Sequence, residues 1–373
     1  MTSAPTALLE STPTPVPLSR AAASAPAPGR PRWFSLPAPH VWKTLGAHIL
    51  IPLFLGAGMA LAYLGSFHEP TPHNLQVAVV GSTPQSMVFA QTMNDKGTGK
   101  VDVRTVATDA DAVKLVKDRE IAAAYETSAQ GAKIIVSTAA SATTAEAAQK
   151  IFLPIAYRQH LPVVVDDVQP TSEHDSTGQG LFFMMVALTV GSYACAAAVS
   201  AVAGRMRPVW RIATTAAVTA VVTAIVVVVA GPIYHVVAHG IWSLAFLSWL
   251  YAFGITMIGV GLHPVLGRWT TAIVTMLFVM LNFTSCGGIF AAAFMPSLFA
   301  GLHAFWNGAA FIDASQALVY FPGQTWGLDG LKLGIWAGVG ILLVVVTHVW
   351  SERRRRLADE NLPVTSDERI VAA

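Results

Sequence analysis

Charge is scarce in this chain of 373 residues: Asp, Glu, Lys and Arg make up 12 % of it, against about a quarter in a typical soluble domain. With 54 % hydrophobic residues and a mean hydropathy of +0.55, that scarcity calls for a lipid environment. The net charge of +2 and the lack of a basic patch interleaved with aromatics exclude a nucleic-acid partner. Cysteine is nearly absent. Cys195 and Cys286 both sit in apolar runs, which leaves no disulfide framework and no Cys-based zinc spacing. Also missing are a Gly-x-Ser-x-Gly elbow, a His-Glu-x-x-His pair and a dinucleotide fingerprint, so neither an enzyme nor a bound cofactor is expected. Gly97-Thr98-Gly99-Lys100 has the tail of a phosphate-binding loop, but Asn94 stands where the upstream glycine belongs and Val101 where Ser or Thr would meet magnesium. It reads as an exposed turn.

What the chain has in quantity is long apolar runs. A helix crossing a hydrocarbon core of about 30 Å needs about 20 such residues, and six segments qualify: Thr44 to Phe67, Gly180 to Ala203, Val209 to Tyr234, Ile241 to Leu262, Thr270 to about Phe290, and Leu331 to Trp350. The first reads as an uncleaved signal anchor, with cleavage near Ala60 to Ala62 as the alternative. Residues 1–43, rich in Pro, Ala, Ser and Thr, read as a disordered cytoplasmic tail. Within them Trp33, Phe34, Val41 and Trp42, mixed with Arg32 and Lys43, suit either an interfacial helix or a linker with an aromatic anchor. Residues 353–373 read as a second cytoplasmic tail.

Positively charged flanks are retained in the cytoplasm. Arg30, Arg32 and Lys43 precede the first span, Arg205, Arg207 and Arg211 join the second to the third, Arg268 joins the fourth to the fifth, and Arg353 to Arg356 follow the sixth. The opposite connections, around residues 231–240 and 301–331, have no Lys or Arg. Both termini are therefore expected inside a bacterial plasma membrane and residues 68–179 outside it. The short connection Arg205-Met206-Arg207-Pro208-Val209-Trp210-Arg211 is a candidate docking surface for a cytoplasmic partner.

Residues 68–179 have the composition of a small α/β domain. Strands are expected at Leu75 to Val80, Val101 to Ala107, Ile121 to Tyr125, Lys133 to Val136 and Val163 to Val165, with helices at Pro84 to Asn94, Asp109 to Arg119 and Thr143 to Gln159. The fold class is thus an α-helical polytopic membrane protein of about six spans with an inserted extracytoplasmic α/β domain.

The fifth segment is irregular. Asn282, Thr284, Ser285, Cys286, Gly287 and Gly288 form a polar, glycine-bearing stretch, followed by Pro296 and an aromatic run through Phe311 to Tyr320. Non-helical backbone at membrane depth survives only where protein or a watery cavity covers it, so a re-entrant pair of half-helices is expected near residues 284–326, with the helix broken at Gly287, Gly288 and Pro296. Thr275, Asn282, Thr284 and Ser285 are the candidate lining of a transport path, ordinary interhelical hydrogen bonding being the plainer alternative. His235 and His239, four apart, would share a helical face and could hold a metal, although interfacial histidines need no ligand and no metal is assigned. His303, Asp313 and Asp329 read as interface and loop groups.

The order of one span, an external α/β domain and five more spans with a glycine-rich break resembles the type-2 ATP-binding-cassette permeases, particularly the phage infection protein (YhgE/Pip) branch. The residues carrying the likeness are Val77 to Gly81; Asp167-Val168-Gln169-Pro170 with Asp175-Ser176-Thr177-Gly178; and Thr284 to Gly288, Pro296 and Tyr320 to Gly323. The resemblance implies a permease subunit that sits in membrane lipid, pairs with another copy or a related half, borrows a separate cytoplasmic ATPase, and exports an amphiphilic, lipid-like or drug-like substrate. The alternative is a non-transporting envelope protein whose external domain binds a partner, a cell-wall component or a phage.

Overall fold

The computed structural model describes residues 39–360 apart from 69, 129 and 238. The expected tail through residue 38, with Trp33 and Phe34, and the last thirteen positions lie outside the described residues. The chain divides into two compact units, Met1–Leu50 and Ile51–Ala373, and both the sheet and the helical bundle belong to the second.

Helix α1 runs Pro39–Phe67, so residues 39–43, expected at the end of the first tail, are helical; Pro39 suits a first helical position, where its missing N–H costs nothing. The chain then builds β1 (Leu75–Val80), α2 (Pro84–Lys96), β2 (Val101–Val106), α3 (Asp109–Lys117), β3 (Ala123–Ser128), β4 (Gly131–Val136), α4 (Thr138–Arg158) and β5 (Val163–Asp167). The strands form one sheet of order β2-β1-β3-β4-β5, parallel except for the β3–β4 hairpin. Both faces of β1 are buried, with Val77 and Val79 packing under α4 and Ala78 and Val80 under α3, which explains its unbroken apolar sequence. Thr83, Thr108 and Ser137 cap α2, α3 and α4, each side-chain oxygen accepting from a backbone N–H of the first turn. Gly97–Lys100 turns from α2 into β2, whereas a phosphate-binding loop runs from a strand into a helix.

The rest is helical: α5 (Gly180–Ala203), α6 (Pro208–Val228) prolonged by a π-helical turn Val229–Ile233, and α7 (Ile241–Leu266). A 3-10 turn Gly267–Trp269 leads to α8 (Thr270–Thr275), π-helical Met276–Met280 and α9 (Leu281–Ser285). Then come α10 (Ser297–His303), α11 (Asn307–Tyr320) and α12 (Gly327–Glu360). Among the described residues five helical segments are long and apolar enough to cross a membrane: Ile49–Phe67, Gly180–Ala203, Pro208–Ile233, Ile241–Ser285 and Gly327–Ala358.

The fourth of these unites the two spans expected at 241–262 and 270–290. It is 45 residues long and folded in half. Gly267, at φ +52, takes a backbone conformation closed to most L-residues, and the pairs His263–Thr270, Gly259–Val274 and Tyr251–Asn282 nest around it. Its second arm ends at Ser285, short of the expected Phe290. Helix α12 continues through Arg353–Arg356, since nothing breaks it before Pro363.

Contacts fix the helix directions. Gly254, Met257 and Gly261 of α7 meet Ala337, Gly340 and Leu343 of α12, so these helices run parallel, and the pairs Thr189–Tyr251, Ser192–Thr256 and Ala196–Gly259 make α5 parallel to α7. The ends carrying Arg205, Arg207, Arg268 and Arg353–Arg356 therefore lie together at one end of the bundle. The sheet docks at the other: Gln169 donates to the Tyr320 carbonyl at 2.7 Å, Gln316 to that of Ala140 at 3.2 Å, and Gln324 to that of Lys117 at 2.8 Å.

Candidate functional site

Asn282 is fully buried and joins four helices. Its Nδ2 donates to the Tyr251 hydroxyl at 2.8 Å, and its Oδ1 accepts from the Gly308 N–H at 3.1 Å, on the first turn of α11. Tyr251 lies 2.6 Å from Thr189 Oγ1, which itself donates to the Met185 carbonyl at 2.7 Å. The Tyr251 hydroxyl therefore donates onward, and every member of the chain has a partner. Such a network specifies one arrangement of α5, α7, α9 and α11. Thr284 and Ser285 are also fully buried, and their hydroxyls return to carbonyls of their own helix, at Met280 and Leu281. Thr275 is half-buried on α8. The four expected path residues thus share one helical arm, but three of them spend their polar atoms inside the chain.

The arm ends at Ser285, and the chain then passes through Gly287 and Gly288. Gly287, at φ +83, leaves no room for a Cβ, which would stand 2.9 Å from the His303 ring; at Gly288 it would stand 2.8 Å from that of Phe182. Pro296 precedes α10, and two short helices follow before α12.

Between this break and the sheet lies a cleft of about 500 Å³, lined by Arg119, Ser141, Gly287, His303, Asp313 and Asp329 among others. His303 Nδ1 sits 2.8 Å from the Ser285 carbonyl. A carbonyl only accepts, so Nδ1 carries the hydrogen, and Nε2 faces Asp313 at 3.6 Å. The Asp313 side chain is 31 % exposed. Its pKa is raised, chiefly by desolvation in the cleft, against the pull of His303 and Arg119. Arg119 donates to Gln316 at 3.3 Å and lies over the Phe321 ring, while Lys332 pairs with Asp329 at 2.9 Å. These charged groups were visible in the sequence, but nothing there signalled that α3, α10, α11 and α12 bring them together.

A larger cleft, of about 980 Å³, opens beside the α6–α7 connection. Pro232, Val237, Ile241, Leu318 and Val319 give it an apolar wall, and Ser172, His174, His235 and His239 a polar rim. His235 and His239 do not share a helical face. The helix ends in the π-turn at Gly231-Pro232, and His235 takes φ +55. Its ring instead neighbours that of His174, centroids 5.5 Å apart. Among the described residues no group of three or more His, Cys, Asp or Glu is placed to hold a metal.

Two elements behind the family resemblance meet at the mouth of this cleft. Asp175 accepts from the Gln179 and Gly180 amides at 3.1 and 2.9 Å, capping α5, and from the Tyr320 hydroxyl at 3.1 Å. The nearby carboxylate raises the Tyr320 pKa beyond what burial alone does. Asp167, of the same stretch, accepts from both the Thr138 amide and its hydroxyl at the start of α4.

At the opposite end of the bundle Arg211 is buried and donates from Nε to the Met206 carbonyl at 3.1 Å, while Arg205 and Arg207 are exposed. Compared with known proteins, the chain matches no family model, no curated protein and no solved structure.

Proposed function

We propose that this chain is a permease subunit of the type-2 ATP-binding-cassette class that carries an amphiphilic, lipid-like substrate out across the plasma membrane. In this reading the two arms of the 241–285 hairpin are separate passes, giving six. Both termini and the arginine-bearing end face the cytoplasm, and the sheet lies outside. A second copy or a related half completes the path, and a separate ATPase drives it.

The observation that carries the reading is the 980 Å³ cleft, whose apolar wall and polar rim match the two halves of an amphiphile. Because Asn282, Thr284 and Ser285 are bonded within the chain, the path runs along this outer flank and not through the centre of one bundle. The short motifs around Asp175 and Tyr320 that suggested the class border this same cleft. Inverted membrane vesicles from cells producing the chain, supplied with ATP, should accumulate a fluorescent amphiphile, and Val319→Trp, which fills the cleft, should slow that accumulation severalfold at an unchanged thermal midpoint of the purified variant. Full movement by both Val319→Trp and Ile241→Trp variants would remove the cleft from the path.

A second reading, an envelope protein that binds a partner through its sheet, is favoured by one feature. Edge strand β5 exposes Val164 by 64 % and Val165 by 41 %, and such an edge can accept an added strand. Capture of a partner from the cell envelope, lost on Val164→Lys, together with no amphiphile movement by the parent chain, would support it.

A further inference from the structure

At the basic end of the bundle a small pocket of about 200 Å³ is lined by Arg205, Arg207 and Arg211, from the α5–α6 connection and the start of α6, and by His348, Glu352 and Arg355 of α12. Four arginines meet one carboxylate there. That carboxylate is already engaged, with Glu352 lying 3.2 Å from His348 Nε2. Among the described residues none of the four arginines is within salt-bridge distance of an acidic group.

Arg211 sharpens the anomaly. It is only 6 % exposed and lines the pocket, and among the described residues its one hydrogen bond runs from Nε to the Met206 carbonyl. A guanidinium withdrawn from water is costly unless an anion meets it. The volume is below the range of about 300–1,000 Å³ typical of drug-sized sites and suits a compact anion.

The surroundings set the depth. Val209 and Trp210, next to the pocket, are exposed by 73 % and 66 %, and Trp350, one turn before Arg354, carries that guanidinium 3.8 Å from its ring centroid. Exposed tryptophans beside arginines belong at the level of lipid headgroups, where basic pockets between helices hold phosphate-bearing headgroups.

We infer that this pocket is a binding site for the phosphate of an anionic glycerophospholipid, held by Arg211 from within and by Arg205, Arg207 and Arg355 at its rim. The lipid ties the α5–α6 connection to the last turns of α12, two segments that no ion pair among the described residues joins. The inference rests on the basic end of the bundle alone and does not depend on transport.

The test is native mass spectrometry of the full chain in mild detergent, titrated in turn with phosphatidylglycerol, phosphatidylcholine and inorganic phosphate. Phosphatidylglycerol should remain bound in preference to phosphatidylcholine, and Arg355→Gln and Arg211→Gln should each weaken its retention about fivefold, as expected for one arginine against an anionic lipid. Arg354→Gln, whose side chain stacks on Trp350, should leave retention intact. Arg355 is exposed, so that variant keeps the test valid even if Arg211→Gln unfolds. Equal retention of the zwitterionic lipid, or full preference surviving Arg355→Gln, would overturn the assignment. Displacement of the lipid by an equal concentration of inorganic phosphate would show that a free phosphate, not a headgroup, is the occupant.

Discussion

A polar residue inside an apolar helix reads the same in sequence whether it lines a path or ties helices together, and Asn282 shows which contacts decide. Its partners, Tyr251 and Gly308, lie 31 and 26 positions away, too far for spacing to reveal. Asn282→Leu leaves the buried Gly308 amide without its acceptor, and an orphaned buried donor costs about 1–3 kcal/mol. The variant is expected to unfold at a lower temperature in detergent than the parent, by circular dichroism, whatever it does to transport. Thermal stability equal to the parent's would mean that the network carries no such weight. Asp313 was just as opaque. From the sequence it is a loop carboxylate, and only the folding of α10 against α11 gives it His303 as a neighbour. Gly287 was legible because its signal is local, marking a turn in which the backbone takes positive φ, whereas Gly267, between two apolar runs, carried no such signal.

Among the elements, the strands and helices of residues 75–167 fall within a few positions of where alternation, apolar runs and capping residues put them, because each signal acts over less than ten residues. The exceptions have physical causes. Helix α4 is assigned from Thr138, but Ser141 departs from helical geometry, so its regular part begins near the expected Thr143. The π-helical Met276–Met280 left no trace, since Met-Leu-Phe-Val-Met holds no breaker. The parallel packing of α7 on α12 was equally hidden, although the glycines that permit it were in view. A Cβ at Gly340 would lie 2.6 Å from that of Met257, and one at Gly261 would lie 2.7 Å from that of Leu343. Gly340→Val should therefore force the helices apart and cost about 1–3 kcal/mol, whereas Gly338→Val, with no atom within 4 Å of its Cβ position, should be tolerated. Matched unfolding midpoints of the two variants would contradict this packing.

For the whole molecule, hydropathy gave the apolar runs and arginine spacing gave their common end, because both are set by the solvent around the chain and not by its tertiary contacts. What hydropathy could not supply was the count of continuous helices, since a hairpin turned on Gly267 keeps its helical character almost through the bend. The proposed orientation has a direct check. In a Cys195→Ala background, Ser128→Cys, in the β3–β4 turn, should react with an impermeant maleimide on intact cells, and Arg268→Cys, in the α7–α8 turn, only after permeabilisation. The reverse pattern would invert the molecule in its membrane. A single carboxylate, that of Asp175, grips the first amides of α5 and the last turn of α11 at once, while Gln169 fastens the sheet to that same turn. Neither helix can slide along its axis without dragging the other and the strands above, so a guest wedged against Tyr320 would be felt at three places simultaneously.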